Sequence, residues 1–276
     1  MRLSVFYEHI FEAAQQSGQT VEDVLKFAKG CGIDLLECDL WRLSDREGQR
    51  ELFERCGVGV SCIYSHFDFL HDSSELSERK CHELLSTAQY FGAENVLCIP
   101  GFFEAERDRA EQMKKFCKGI SRMCEIAKEY GVTVTIEDFD DIDSPCCKMN
   151  DIRFLLDNCK GLRYTFDTGN FRYCLEDAGE AYTLLSDKVA HVHLKDRSYD
   201  SARANADDTN GKADLSGAVM YPAEVCGGVI GIDVLIKRLM SDGYDGVLAI
   251  EHFGAADQLS YMKKSAENVL RITEGI

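Results

Sequence analysis

The sequence predicts an α/β protein built as one closed (β/α)₈ barrel, and three observations lead to this prediction. The chain of 276 residues has the length of a barrel that forms one domain. Short apolar runs alternate with longer amphipathic stretches along the whole chain. Only three prolines occur, and no Pro/Gly-rich linker or change in composition divides the chain. We therefore expect residues 1–276 to form a single domain.

Eight short runs rich in apolar and β-branched residues are the predicted strands. They cover residues 3–7, 33–37, 59–64, 95–99, 132–136, 162–166, 189–193 and 246–250. Apolar runs of this length are typical of strands that are buried on both faces. Eight such strands favour a closed parallel barrel over an open doubly wound sheet, which usually has fewer strands.

The stretches between the predicted strands carry apolar residues at spacings of three and four, which predicts helices. The clearest of them cover residues 21–29, 75–91, 105–130, 151–158, 232–241 and 258–273. Residues 200–231, after the seventh predicted strand, lack this periodicity and are rich in polar residues and glycine. We expect this stretch to be a long loop at the active site, because such barrels build their sites from the loops that follow the strands.

The charge balance limits the partners of this protein. Lys and Arg number 31 against 48 Asp and Glu, so the formal net charge is −17. Such a surface repels a phosphate backbone, and nucleic acid is therefore not an expected partner. No apolar run approaches the length of a membrane span, and the first 20 residues lack the features of a signal peptide. We expect a cytoplasmic protein without a membrane partner, and its assembly into homo-oligomers stays open.

The 13 cysteines do not predict a disulfide framework. Their number is odd, they are scattered along the chain, and no CxxC pair occurs. We expect most of them to be reduced and buried as small hydrophobic residues. For the adjacent pair Cys146 and Cys147 a reactive thiol is the alternative, but we assign this pair no role.

A carboxylate or an imidazole stands at the end of each of the last four predicted strands. These residues are Glu137, Asp167, His193 and Glu251. All strands of a barrel end on one face, so the four side chains are expected to converge there. Three carboxylates held together repel one another unless a cation neutralises them. A rim salt bridge or a helix cap is the simpler interpretation of one such acid, but four in successive units favour a shared divalent metal ion.

The donor set also favours particular metals. Three hard oxygen donors with one imidazole favour Mn²⁺, Mg²⁺ or Co²⁺ over a closed zinc site, although Zn²⁺ stays open because affinity alone does not select the metal. We predict one divalent ion, with Mn²⁺ as the first choice. Neither GxGxxG nor GxxxxGK[ST] occurs in the sequence, so no nucleotide cofactor is expected.

The motifs around these four residues resemble those of the xylose isomerase-like TIM-barrel superfamily, the sugar phosphate isomerase/epimerase group. The matching motifs are IEDFDD, FDTGN, HVHLKD and IEHF, and the earlier segments GIDLLEC, SHFDF and GAENVLCIPG are similar as well. The resemblance covers essentially the whole chain. The group includes ketose 3-epimerases, hydroxypyruvate isomerase and inosose dehydratase.

The resemblance implies that Glu137, Asp167, His193 and Glu251 bind the metal. It also implies that the two glutamates serve as the acid and the base. Epimerising or isomerising a sugar requires removal of a weakly acidic proton beside a carbonyl, and a metal can stabilise the charge of the resulting enediolate. We therefore expect a metal-dependent sugar isomerase or epimerase. His191, the first histidine of HVH, is expected to be packed or to orient a ligand.

Five further polar residues are the predicted substrate contacts: His66, Asn170, Lys195, Asp196 and Arg197. Asn170 stands where ketose epimerases have a histidine that contacts the substrate, and this departure leaves the identity of the substrate open. Lys195, Asp196 and Arg197 end the seventh strand and can meet hydroxyl groups or an anionic group. The alternatives are a rim ion pair between Lys195 and Asp196 and a structural role for His66.

Four other features carry weaker arguments. Trp41 follows the second predicted strand and is expected at the mouth or at an interface. Glu37 and His9 have similar positions near the rim. The acidic residues 138–143 are expected to be solvated or to cap helices, and we assign them no function.

Three alternatives to isomerisation remain. A dehydratase or lyase acting on a keto-sugar, keto-inositol or oxidised glycoside would share the first step, after which the carbanion expels a β leaving group. A non-catalytic sugar-binding barrel is disfavoured by the complete set of four residues. An AP endonuclease of the endonuclease IV type needs three zinc ions and many more histidines than the seven present here, and the acidic surface opposes DNA binding.

Overall fold

Eight parallel strands close into a barrel in the computed structural model, which describes residues 1–275. The ten strands of this part of the chain are β1 (Arg2–Phe6), β2 (Ile33–Asp39), β3 (Gly59–His66), β4 (Asn95–Ile99), β5 (Thr133–Glu137), β6 (Arg163–Asp167), β7 (Val189–Ser198), β8 (Lys212–Ala213), β9 (Val219–Ala223) and β10 (Val247–Glu251). Strands β1 to β7 pair in sequence order, and β10 closes the barrel by pairing with both β7 and β1. The predicted (β/α)₈ barrel and its eight strands are confirmed.

Helices surround the barrel and connect its strands. Within residues 1–275 they are α1 (Tyr7–Ser17), α2 (Val21–Gly30), α3 (Arg46–Cys56), α4 (Ser74–Phe91), α5 (Arg109–Tyr130), α6 (Met149–Asn158), α7 (Ala178–Leu185), α8 (Ile232–Ser241) and α9 (Gln258–Glu274). All six predicted helical stretches are confirmed. Helix α5 begins four residues later than predicted because the Asp108 side chain caps it by accepting the N–H of Glu111. None of these helices has both the length and the apolarity that crossing a bilayer requires.

Apolar side chains form two separate clusters. The larger cluster fills the layer between the outer faces of the strands and the helices. A smaller one, which we call the inner apolar cluster, consists of Phe6, Cys62, Tyr64, Leu97, Ile99 and Ala249. Successive side chains of a strand point to opposite faces, so one strand contributes to the outer layer and to the interior in turn. Thus Val5 of β1 packs outside the barrel and its neighbour Phe6 packs inside.

The stretch 200–231 contains two short strands, which corrects the expectation of a continuous loop. Strand β7 extends past the barrel to Ser198 and pairs antiparallel with β9, and β9 pairs in turn with β8. This small sheet rises above the carboxyl end of the barrel. The sequence concealed it because β8 has only two residues and β9 contains Pro222, and proline argues against a strand.

A disulfide joins Cys147 and Cys174, which corrects the expectation of reduced thiols for this pair. Cys147 lies after β5, and Cys174 ends a short 3₁₀ turn, Asn170–Cys174, that follows β6. Loops after neighbouring strands lie side by side, so cysteines one β/α unit apart can meet although no spacing motif marks them. The other 11 cysteines are free, as expected for most of them.

Candidate metal centre and active site

Four side chains from neighbouring strands meet at the carboxyl end of the barrel. Glu137, Asp167, His193 and Glu251 each offer one ligand atom, and these atoms lie within 4.8 Å of one another. They stand on β5, β6, β7 and β10, which are adjacent in the barrel, and Asp167 is in register with His193. The structure therefore brings together all four residues that the sequence predicted as ligands.

The surroundings of Asp167 fit a bound cation. Its Oδ1 accepts hydrogen bonds of 2.7 Å from the backbone N–H groups of Gly169 and Asn170. Its Oδ2 is buried and has no hydrogen-bond partner within residues 1–275. A buried oxygen left in this state costs free energy that a ligand can recover. Three carboxylates and an imidazole are a donor set that divalent ions accept, so the residues present fit a metal.

Without a bound cation, the protein shifts the pKa values of these three acids in different directions. Burial raises the pKa of Glu137 and holds the pKa of Asp167 well above its ordinary value. Burial acts in the same direction on Glu251, but the charge of Lys195 outweighs it and holds the pKa of Glu251 well below its ordinary value. The Lys195 Nζ lies 2.7 Å from the Glu251 Oε1. A divalent cation among these groups would favour the ionised form of all three carboxylates.

His193 lies between the candidate ligands and a buried glutamate. Its Nδ1 is 2.9 Å from the Glu137 Oε2 and 3.4 Å from the Glu251 Oε2. Its Nε2 is 3.1 Å from both carboxylate oxygens of Glu37, which reaches in from β2. One ring nitrogen of His193 therefore faces the cluster while the other is held by a carboxylate, an arrangement typical of histidines that bind metals.

Glu37 contacts both histidines of the HVH motif. The His191 Nε2 lies 2.8 Å from the Glu37 Oε2, and both side chains are fully buried. Burial opposes ionisation of Glu37, but the charges of His193 and His191 prevail and lower its pKa to about 2. From the sequence, Glu37 was expected only near the rim, and no role was assigned to it. The available signal was that Glu37 ends the predicted strand IDLLE, but its partners lie across the barrel.

Asp138 is buried in the site, so the expectation that residues 138–143 are solvated or cap helices is wrong for it. Its Oδ1 accepts hydrogen bonds from the Tyr164 hydroxyl at 2.5 Å and from the Asp167 N–H at 3.0 Å. Its backbone carbonyl accepts the Asn170 Nδ2 at 2.7 Å. Burial raises the pKa of Asp138 to about 8. Asp138 thus holds the strand ends that carry Glu137 and Asp167.

The segment after β6 packs closely on β7. The Thr168 hydroxyl accepts the Lys195 N–H at 2.9 Å and donates to the Lys195 carbonyl at 3.1 Å. A Cβ at Gly169 would lie 2.5 Å from that same carbonyl oxygen, so this approach requires glycine. Asn170 comes next; its Oδ1 is buried without a hydrogen-bond partner in the described chain. The DTGN motif therefore fixes Asp167 and Asn170 against the end of β7.

Asp196 points away from Lys195 and Arg197, as strand alternation requires. Its Oδ2 accepts the N–H of Gly228 at 3.0 Å, and its Oδ1 accepts the N–H of Ile230 at 3.3 Å. A Cβ at Gly228 would lie 2.2 Å from the Asp196 Oδ1. Asp196 therefore anchors the end of the 200–231 stretch, and the rim ion pair with Lys195 does not form, because Lys195 pairs with Glu251.

The remaining predicted contacts lie outside the four-residue cluster. His66 ends β3 and is exposed. Arg197 lies two residues beyond Lys195 on β7, where it is almost completely buried. Two residues for which the sequence offered weaker arguments also lie outside the cluster. Trp41 lies in the 3₁₀ turn after β2 and is exposed. His9 is buried in α1, and its Nε2 accepts the N–H of His252.

One curated protein shares sequence similarity with part of the chain. It is an uncharacterized protein of Methanocaldococcus jannaschii, 26% identical over 114 residues. The match spans 41% of this chain and 44% of that protein, so the chain covers less than half the length of this relative.

Solved structures share the fold over nearly the whole chain. The probable 3-DHS dehydratase AsbF of Bacillus anthracis has a TM-score of 0.75 at 17% identity, over 97% of this chain and 98% of that one. A xylose isomerase-like TIM barrel protein of Mycobacterium smegmatis, in complex with magnesium, has a TM-score of 0.69 at 18% identity, over 91% and 87%. The D-psicose 3-epimerase of Clostridium cellulolyticum H10, with D-tagatose, has a TM-score of 0.71 at 12% identity, over 100% and 99%. Identities this low establish a common fold.

The family match covers most of the sequence. The family described as xylose isomerase-like TIM barrel matches residues 25–272, which include all four residues of the candidate metal centre. Fold and motifs agree with this match. The chain belongs to the xylose isomerase-like TIM-barrel family.

Proposed function

We propose that this protein is a divalent-metal-dependent enzyme that isomerises or epimerises a small sugar or sugar-like substrate. It removes a proton beside the substrate carbonyl and returns a proton to the same or a neighbouring carbon. The observation that carries the proposal is the convergence of Glu137, Asp167, His193 and Glu251. A ketose 3-epimerase among the proteins of the same fold supports this substrate class. We also propose that residues 1–276 form one domain.

The four residues would hold one ion, for which we propose Mn²⁺, with Mg²⁺, Co²⁺ and Zn²⁺ as alternatives. When bound, the ion supplies positive charge that stabilises negative charge developing on the substrate oxygens. Asp167 is held for this role by the backbone of the DTGN turn. His193 is held by Glu37 on its far side. Chain groups thus fix the direction of both residues before a substrate arrives.

Glu137 and Glu251 are the proposed base and acid. The Glu251 Oε1 is engaged with Lys195, and its side chain is 5% exposed against 12% for Glu137. Because the Glu137 carboxylate is not paired with Lys195 and is more exposed, we assign the first proton removal to it. Glu251 then serves as the second carboxylate, which exchanges a proton with the substrate from another direction.

The substrate would lie above the four residues of the candidate metal centre. We propose that His66, Asn170, Lys195 and Arg197 contact it, and we omit Asp196 because its carboxylate is engaged by the 228–230 backbone. The inner apolar cluster borders the site on the other side of the barrel. Apolar walls exclude water and strengthen the electrostatic interactions at the site.

Dehydration is the second candidate function, and the position of Lys195 favours it. Its ammonium group lies beside Glu251, where it can donate a proton to a departing hydroxyl. After Glu137 has taken the proton, the C–O bond to the β carbon would break and the hydroxyl would leave as water. A 3-DHS dehydratase among the proteins of the same fold supports this alternative.

Solvent exchange tests the proposed proton removal. The purified protein is incubated in D₂O with Mn²⁺ and a panel of ketoses, keto-inositols and keto-glycosides, and freed of paramagnetic metal before NMR. We expect deuterium beside the carbonyl of at least one substrate, and product analysis then separates an isomer from a dehydrated compound. Removal of the metal with a chelator should abolish exchange, and its return should restore it.

Variants of the two glutamates identify the residues responsible. Glu137→Gln and Glu251→Gln should each lower the exchange rate by about 100-fold or more, the usual contribution of a positioned acid or base. The exposed Glu180 of α7 provides a matched control, and Glu180→Gln should leave the rate unchanged. Near-normal exchange in both site variants would contradict the proposal, and absence of exchange with every substrate would favour a non-catalytic barrel.

A further inference from the structure

Arg197 is a buried cation without a counter-ion in the described part of the chain. This residue is only 6% exposed, and within residues 1–275 its Nε has no hydrogen-bond partner. Among residues 1–275 no carboxylate oxygen lies within 4.0 Å of its guanidinium nitrogens. Burying a charge in this state is costly, and buried charges in proteins are normally paired. A group from outside residues 1–275 is therefore the expected partner of Arg197.

The acids near Arg197 are already engaged by other cations. Lys195 pairs with Glu251 at 2.7 Å, and Lys212 pairs with Asp140 at 2.9 Å. Burial opposes ionisation of Asp140, but the charges of Lys195, Lys212 and Arg197 together lower its pKa. These pairings leave Arg197 without a carboxylate partner at the mouth, although the whole chain carries a net charge of −17.

Arg197 lies on the same strand as the candidate metal ligand His193 and further toward the mouth of the barrel. His193, Lys195 and Arg197 share one face of β7, because alternate residues of a strand point the same way. Arg197 lies four residues beyond His193, about 13 Å along the strand. Its Cζ lies 5.8 Å from the ring centroid of Tyr173, and the Lys212 Nζ lies 5.3 Å from the same ring. An anion held here would be several bonds from a carbonyl placed at the metal centre.

We propose that Arg197, with Lys212 near it, binds an anionic group of the substrate, so that the substrate is a keto-sugar carrying a carboxylate or a phosphate. This inference rests on the proposed function, which by itself does not require a charged substrate. The planar guanidinium suits both anions, because it can donate two parallel hydrogen bonds to two oxygens of one group. Because Arg197 is almost completely buried, these hydrogen bonds are stronger than they would be in water.

Anion binding can be measured without turnover. The Mg²⁺-loaded protein, labelled with ¹⁵N, is titrated with inorganic phosphate, with acetate and with neutral glycerol. The Nε–Hε signal of Arg197 is identified by its absence in Arg197→Lys. We expect this signal to shift with phosphate or acetate and not with glycerol. A tighter response to phosphate indicates a phosphorylated sugar, and a tighter response to acetate indicates a sugar acid.

Arg197→Gln should weaken binding of the preferred anion by about 10-fold or more, followed through the backbone amide signals of residues 193–199. The control is Arg172→Gln, which alters an exposed arginine at the same mouth whose Nε already donates to the Tyr199 hydroxyl at 3.1 Å. This control should leave the affinity unchanged. Arg197→Lys keeps the charge and should retain part of the affinity, which separates loss of the anion site from loss of the fold.

An unchanged Arg197 signal at saturating phosphate and acetate overturns the inference, and so does equal affinity in wild type and Arg197→Gln. Because these measurements need no reaction, the anion site can be refuted while solvent exchange succeeds, and it can be established while exchange fails. Where exchange occurs, Arg197→Gln should raise KM for anionic substrates by about 10-fold with a much smaller change in kcat, and it should leave KM for neutral substrates unchanged.

Discussion

The two halves of the barrel interior are equally buried and chemically opposite. On β1, β3 and β4 the interior is filled by the inner apolar cluster, to which β10 adds only Ala249 and in which Leu97 is 1% exposed. On β5, β6, β7 and β10 it holds carboxylates, histidines and a lysine, and there Glu251 is 4% exposed. Burial alone therefore does not decide where charge can lie. Buried charge lies where the surrounding side chains offer partners for it.

The partners of the polar half are specific. Lys195 pairs with Glu251, and Glu37 contacts both His191 and His193, with every one of these side chains nearly or fully buried. Glu37 stands on β2, so one residue from the other side of the barrel extends into the polar half. In the apolar half, Phe6 presents its ring to His193 with the centroids 5.1 Å apart. The boundary between the two halves therefore passes beside His193.

Placing a carboxylate in the apolar half should have the largest effect. Leu97→Glu puts a charge among Phe6, Tyr64 and Ile99, none of which carries a positive charge that could compensate it. We expect unfolding to become easier by about 3–5 kcal/mol, the usual cost of an uncompensated buried charge. Urea denaturation measures this difference. Leu97→Met, which keeps the volume and the apolar character, should cost less than about 1.5 kcal/mol.

A folded Leu97→Glu protein with wild-type stability would contradict the distinction between the halves. It would mean that the apolar half tolerates charge as the polar half does.

Removing the charge of Glu37, which extends from β2 into the polar half, should have an intermediate effect. Glu37→Gln deletes the carboxylate that holds the Nε2 of His193 and leaves the candidate ligands in place. We expect the Kd for Co²⁺ or Mn²⁺ to rise by about 10- to 100-fold, as for other partners of metal-binding histidines. Competition with a chelator measures this affinity, and the visible spectrum of the Co²⁺ form should change as well.

Glu37→Asp keeps the charge on a shorter side chain and should recover part of the affinity. If Glu37→Gln binds metal as tightly as wild type, with an unchanged Co²⁺ spectrum, Glu37 does not position His193.

The fold was predictable because the strands of a barrel are buried on both faces. Each of the eight strands therefore appears as an apolar run, as with NVLCI for β4. The change from an apolar run to an acid also marked the residues at the mouth. Glu137, Asp167 and Glu251 each follow such a run directly. Position at a strand end, and not residue type alone, made these acids visible.

Other parts of the site depend on tertiary contacts that leave no local pattern. Asp138 follows Glu137 and is also an acid, and only its contacts with Tyr164 and Asp167 give it a different role. The Cys147–Cys174 disulfide depends on the packing of two loops. The isolation of Arg197 depends on which neighbouring acids are already paired, and no spacing in the sequence encodes that.

The smallest effect should come from the boundary residue Phe6. Its ring lies 5.1 Å from His193 and 5.2 Å from Phe253 between centroids, but it forms no hydrogen bond with the histidine. Phe6→Leu should therefore lower the free energy of unfolding by about 1 kcal/mol through lost aromatic contacts. The metal affinity should change by less than about threefold. The exposed Phe154 provides the control, because Phe154→Leu should stay within about 0.5 kcal/mol of wild type.

The outcome for Phe6→Leu decides what the apolar half contributes to the site. If metal affinity falls as far as in Glu37→Gln, the ring of Phe6 orients His193 as strongly as the carboxylate does, and the two halves act together on the histidine. If stability falls and affinity does not, the apolar half fills the barrel and excludes water, and the direction of His193 is set by Glu37 on the polar side.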